Sequence, residues 1–217
     1  GIVHGTTITL LNAGRLKGLG TNNLKGKAFV TSGLGGMSGA QAKALIVTGA
    51  TGIIAEVDHD AIRQRIADHY IREEDVFTDL DSMLTQFVKS KNAEEARCFV
   101  YQGNIVEVWE KLVFRHIHIE LGSDQTSCHN IDHLGYCPVE CTFEEAKALM
   151  DDDKEGFDQA IKRSLRRHVD AINVMCSRGM YFWDYGNAFL FEAARAGADI
   201  MDPHKPSGFK YPSYVED

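Results

Sequence analysis

Short apolar runs alternate along this chain with longer segments whose apolar residues recur every three or four positions. Lys27-Ala-Phe-Val-Thr31, Ile53 to Val57, Cys98 to Tyr101, the alternating Ile117-His-Ile-Glu-Leu121 and Met180 to Trp183 read as strands. Helical spacing carries Ala40, Ala44, Leu45 and Thr48 from Ser38 onward, with Gly49 and Gly52 closing the helix. Further helices are predicted over 58–72, led by Asp58 as a candidate cap, and over 79–88. Another follows the Gly103-Asn104 turn with Val106, Trp109, Leu112 and Val113, and the last three span 143–151, 155–178 and 188–196. A turn-rich loop fills 122–142. Strands alternating with helices imply parallel β-α-β units. The pattern therefore predicts an α/β fold with a Rossmann-like, doubly wound, mainly parallel sheet and flanking helices. Ligands of such sheets sit at the carboxyl ends of the strands. Each Gly or Asn turn here follows a strand, so the turns are expected to gather on one edge.

With 217 residues, 44% of them apolar, the chain is long enough for one sizeable core. The expected division is a lead-in over 1–24, a Rossmann-like domain over 25–201 and an irregular tail over 202–217 holding three of the four prolines. The lead-in is read as partly helical and as a piece of a neighbouring domain. The chain opens on Gly, and a fragment of a longer protein is expected, although a processed tag would look the same. A net charge of −8 repels phosphate backbones, so no nucleic-acid partner is expected. The basic run Lys162, Arg163, Arg166 and Arg167 is read as a solvated helix face. Five cysteines without a C-x-x-C pair fit reduced thiols in a cytoplasmic protein. No apolar run reaches the roughly 18 residues of a membrane span, and there is no signal-peptide pattern.

Five turns carry candidate chemistry. In Thr31-Ser-Gly-Leu-Gly-Gly-Met-Ser-Gly39, Gly33 and Gly35 fit the first half of G-x-G-x-x-G, but Ser38 holds the third position and Gly39 follows. Gly permits the tight turn, and the helix start offers free N–H groups to a pyrophosphate. Glu56 stands 21 residues beyond Gly35, close to the roughly 20 expected of an acid that binds ribose hydroxyls. Asp58 competes for that role. An acid there disfavours the extra phosphate of NADP and points to NAD. Asn104 is a helix cap or a ligand contact. The loop Gly122-Ser-Asp-Gln-Thr-Ser-Cys-His129 crowds hydrogen-bonding side chains after a strand, as a polar ligand requires. Cys128, His129, His133, Cys137 and Cys141 suggest zinc, but Gly135 and Pro138 break the helix that their spacing would need, so no metal is expected. In Trp183-Asp-Tyr-Gly-Asn187, Asp184 and Asn187 read as helix caps and Tyr185 as a residue facing a cofactor ring. An NAD-dependent dehydrogenase with His129 or Tyr185 as proton relay fits these turns, as does a non-catalytic nucleotide-binding module, with S-adenosylmethionine as a further ligand.

Together the strings FVTSGLGGMSGAQAKA, IAEVD, GSDQTSCHN, GYCPV, SLRRHVDAIN, FWDYGNAFL and YPSYV, in this order from about Lys25 to Tyr214, resemble the urocanate hydratase (urocanase) family, nearer its eukaryotic type than its bacterial one. The resemblance implies an enzyme of histidine degradation that adds water to urocanate to give imidazolone propionate. It also implies a tightly held NAD+ used as an electrophile without net hydride transfer. It places cofactor contacts at Gly36, Met37 and Ser38, at Glu56, and at Asn104 and Ile105. It adds Gln125, Thr126, Ser127, Cys128 and His129, then Tyr136 and Cys137, and finally Tyr185. Ser38 stands where bacterial relatives have Gly, and an Arg of the bacterial pattern falls on Ala61, so adenosine-side contacts must differ. The family's NAD-binding domain is inserted in a catalytic core, whose N-terminal and C-terminal parts are not in this sequence. The chain is therefore expected to be inactive alone, with the catalytic residues supplied by the rest of a homodimeric, cytoplasmic enzyme.

Overall fold

The computed structural model describes residues 2–19, 23–35, 39–125, 134–186 and 188–213, with no side-chain placement for Ile2. Of the candidate site residues, Gly36, Met37, Ser38, Thr126, Ser127, Cys128 and His129 lie outside that set, as does Asn187. In chain order the elements are α1 (Ile2–Lys17), β1 (Ala28–Ser32), α2 (Ala40–Thr48), β2 (Thr51–Glu56), α3 (His59–Ala67), β3 (Val76–Phe77), α4 (Leu80–Asn92), β4 (Arg97–Gln102), α5 (Ile105–Phe114), β5 (Leu121–Asp124), α6 (Phe143–Asp152), α7 (Lys154–Ser177), β6 (Tyr181–Asp184) and α8 (Ala188–Arg195). The strands form one sheet in the order β3-β4-β2-β1-β5-β6, and every pairing in it is parallel. The doubly wound, Rossmann-like architecture expected from the sequence is the one observed.

The sheet is buried on both faces, as parallel sheets are. Successive residues along a strand point to opposite sides. Ala28 and Val30, Ile53 and Ala55, and Phe99 and Tyr101 join α4, α5, α7 and α8 in one core. Phe29, Ile54, Cys98 and Val100 join α1, α2 and α3 in the other. Gly52 interrupts the branched residues of β2 because α2 packs close there. A Cβ on it would stand 2.8 Å from the Phe29 carbonyl oxygen and 2.6 Å from Leu45.

Several boundaries differ from the sequence reading. The strand expected over Ile117 to Leu121 lies instead at Leu121–Asp124, because its last residues bury polar side chains against β1. The helix expected over 58–72 stops at Ala67, with Asp68 as its cap and His69 at φ 63°. The two-residue edge strand β3 carried no pattern of its own. α1 runs for 16 residues, and Leu10 and Ala13 are buried in the same core as β1. The basic run on α7 is paired: Arg163 with Glu140, Arg167 with Glu110 and Lys162 with Asp158, while Arg166 donates to the Ala196 carbonyl.

Helix starts carry the caps that the sequence offered. Asp58 accepts from the Asp60 N–H, as read, and Thr142 and Glu145 form a reciprocal capping box on α6. Thr142→Ala is expected to cost about 1 kcal/mol, read as a lower urea midpoint at unchanged slope.

Candidate functional site

The strand order reverses between β1 and β5, because the chain builds outward from β1 through β2 and β4 and then returns to lay β5 on the other side. This is the position at which open α/β sheets form a ligand crevice. Backbone register between the two strands is limited to Phe29 with Leu121 and Val30 with Gly122. Beyond it, side chains take over. The Thr31 and Ser123 hydroxyls meet at 2.9 Å, and the Ser32 hydroxyl donates to Asp124 at 3.1 Å. Polar residues thus end both strands, although each is buried.

On one side of the crevice lies the glycine turn. Gly33 leaves β1 at φ 96°, a conformation that favours Gly, and its N–H bonds to the Ala55 carbonyl at 2.9 Å. Leu34 is fully buried and anchors the turn in the core. Its N–H donates to Oε1 of Glu56 at 2.8 Å, while the Asp58 N–H donates to Oε2 at 3.1 Å. Burial raises the Glu56 carboxyl above its ordinary value, and the backbone N–H bonds act against that rise. Glu56 therefore braces the turn from the end of the neighbouring strand, and the Val57 N–H also bonds to its carboxylate. Asp58, its competitor, is committed to capping α3. Gly39 starts α2 with no side-chain cap on the helix N–H groups.

The other turns gather on the same edge. Asn104 follows β4; its Oδ1 accepts from the Val106 N–H at 2.9 Å and its Nδ2 donates to the Cys137 carbonyl at 2.8 Å. Capping and the tie to the 134–141 segment thus share one side chain, and Ile105 is buried behind it. Tyr136 turns its hydroxyl inward, 3.0 Å from the Ser164 hydroxyl and 3.1 Å from Nδ1 of His168, both on α7. The Cys137 thiol faces the carbonyls of Pro138 and Cys141, and burial pushes it up to about 12, so it stays neutral. The Tyr136 hydroxyl and the Cys137 thiol are thus committed to contacts within the fold. Asp184 ends β6 and accepts from the N–H groups of Leu190 and Gly186, so it caps α8 as the sequence suggested. Tyr185 follows it, partly buried, with its hydroxyl bonded to the side chains of Gln41 and Gln125 and pushed up to about 12 by burial.

Four further residues lie close to these turns. Asp124 and His168 are both fully buried, with Oδ2 and Nε2 3.7 Å apart. Burial lowers His168 to about 3, so its ring is neutral at pH 7. Gln41 lies in the first turn of α2 and is buried. Arg65 on α3 packs against Gly39, where an added Cβ would stand 2.9 Å from its Cδ. It lies one helical turn beyond Ala61, on the same face, and that spacing was the available signal for a cation at the head of α2.

A family model described as the Urocanase Rossmann-like domain matches residues 1–217. The chain is 52% identical to a probable urocanate hydratase of Dictyostelium discoideum, 48% to urocanate hydratase of Mus musculus and 47% to that of Homo sapiens. Each alignment covers 100% of this chain but 32% of the relative, so the chain spans about a third of their length. Among solved structures, a putative D-mannonate oxidoreductase from Haemophilus influenza with bound NAD is similar at 13% identity and a TM-score of 0.38, over 80% of this chain and 63% of that one. That likeness is too low to bear on function.

Proposed function

This chain belongs to the Urocanase Rossmann-like domain family, and on that premise we propose that it is the NAD-binding part of a urocanate hydratase, the enzyme that adds water to urocanate to form imidazolone propionate in histidine degradation. One observation carries the cofactor reading. Glu56, at the end of β2, braces the turn that leaves β1 at Gly33, beside the switch point between β1 and β5. The residues fit a dinucleotide. Among the described residues, a Cβ at Gly35 would stand in open space and a buried Gln41 oxygen has no partner.

In this reading Gly33, Gly35 and the head of α2 hold the pyrophosphate, and Glu56 accepts the adenosine ribose hydroxyls. Asn104, Ile105, Gln125, Tyr136, Cys137 and Tyr185 line the remainder. The resemblance adds Gly36, Met37, Ser38 and residues 126–129. When bound, NAD+ supplies an electrophilic ring. The residues of this chain orient it and keep water from its buried side. Substrate-binding and catalytic groups come from the two thirds of the relatives' length that lies outside this chain, in a cytoplasmic homodimer, with 25–201 as the domain proper. No helix among the described residues is long and apolar enough to cross a membrane.

Calorimetric titration of the chain tests the reading. NAD+ is expected to bind at least about tenfold more tightly than NADP+, because a 2′-phosphate would face the Glu56 carboxylate. Equal affinity, or none for either, would remove Glu56 from the proposed role.

A further inference from the structure

Gln41 is 1% exposed. Its Nε2 reaches the Tyr185 hydroxyl only at a long 3.5 Å, and its Oε1 is buried without a partner among the described residues. Buried polar atoms are nearly always paired, and an orphaned one is a standing cost to the fold. Packing does not ask for an amide here. The neighbouring α2 residues Ala40, Ala42, Ala44 and Leu45 are buried and apolar, and a Leu or Met would fill the same space without the cost.

The direction of the side chain supplies a reason. From the head of α2 it reaches Tyr185 beyond β6, whose hydroxyl also bonds to Gln125 beyond β5. That is the half of the crevice across the switch point from Glu56 on β2. A dinucleotide with its adenosine ribose at Glu56 lays its other half over β5 and β6. We propose that Gln41 contacts the nicotinamide half of the cofactor directly, its unpartnered amide atom bonding to the carboxamide. A primary carboxamide offers both an acceptor and two donors, so it satisfies the Gln41 amide whichever way that amide is turned. This assignment rests on the NAD-binding reading above.

Gln41→Leu and Gln41→Met, made in the full chain, test it by titration of nucleotide-free protein with NAD+ and, separately, with ADP. The expected result is a loss of about tenfold in NAD+ affinity, the worth of one hydrogen bond, with ADP affinity unchanged. Unfolding temperature without ligand is expected to equal or exceed that of the parent, because the orphaned oxygen is gone. Unchanged NAD+ affinity in folded variants overturns the assignment alone, as does an equal loss for ADP. Failure of both variants to fold shows that the fold itself needs the amide and also overturns it. A parent chain that binds no NAD+ overturns the reading beneath it.

Discussion

Between pH 6 and pH 4.5 the Asp184→Asn protein is expected to lose roughly 1 kcal/mol of stability per pH unit, while the parent chain changes little. Two buried groups beside the crevice oppose each other. Burial lowers His168 from 6.5 to about 3, so the folded ring stays neutral where the unfolded chain binds a proton. Its contribution is complete above pH 6.5 and is lost as the pH falls toward 3. Burial first, and then the Asp124 carboxylate, raise Asp184 from 3.8 to about 6, so here the folded state binds the extra proton. Ionising it costs stability as the pH rises from 3.8 to 6, and that cost disappears as the pH falls. Glu56, also raised by burial, acts with the same sign as Asp184. In the parent the carboxyls offset the imidazole. An amide at position 184 keeps one acceptor oxygen, for the Leu190 or the Gly186 N–H, and does not titrate, which leaves His168 opposed by Glu56 alone. Asp79, Glu140 and Glu145 are lowered by hydrogen bonds, and their stabilisation is lost only below about pH 4.5, so they stay outside this window. Urea unfolding at three pH values in the interval measures both slopes. Parallel slopes in the two proteins would show that the opposition does not exist.

Gly35→Val is expected to weaken NAD+ binding by at least about 100-fold while leaving the fold nearly untouched. The glycines of this region differ in what they do. Gly33 is required by its positive φ, and Gly52 by the Phe29 carbonyl and Leu45 beside it. Gly35 has neither reason. Its φ lies outside the left-handed region, and among the described residues nothing stands within 4 Å of an added Cβ. Among the described residues a side chain there has room, and a pyrophosphate laid on the turn is what it would obstruct. Thermal unfolding without ligand and calorimetry with NAD+ separate the two effects. A folded variant with the parent's affinity would take the glycine turn out of the site.

The candidate site was legible in the sequence to the extent that it is made of turns. Gly33 with Gly35, Glu56 at the end of the next strand and Asn104 at a helix start each follow a short apolar run, and backbone sterics and capping tie such residues to such places. The strand at Leu121–Asp124 was misplaced because Ile117 to Leu121 alternates, whereas Gly122-Ser-Asp124 carries no apolar signal. Those residues are strand because Thr31 and Ser32 meet Ser123 and Asp124, 92 positions away in sequence. Separation in sequence also hid His168, which reads as one more position on an amphipathic helix until Tyr136 and Asp124 pack around it.

By itself, then, the sequence determined the alternation of strand and helix, the parallel sheet that follows from it, and the glycine and acid placed at neighbouring strand ends, because local periodicity and backbone freedom act over a few residues. Only the tertiary structure decided which strands flank the crevice, that Glu56 holds the glycine turn by the Leu34 N–H, that Tyr136 turns its hydroxyl inward, and that Gln41 is buried with one atom unpartnered. These are properties of burial and of contacts between distant segments, and a linear pattern of residues does not contain them.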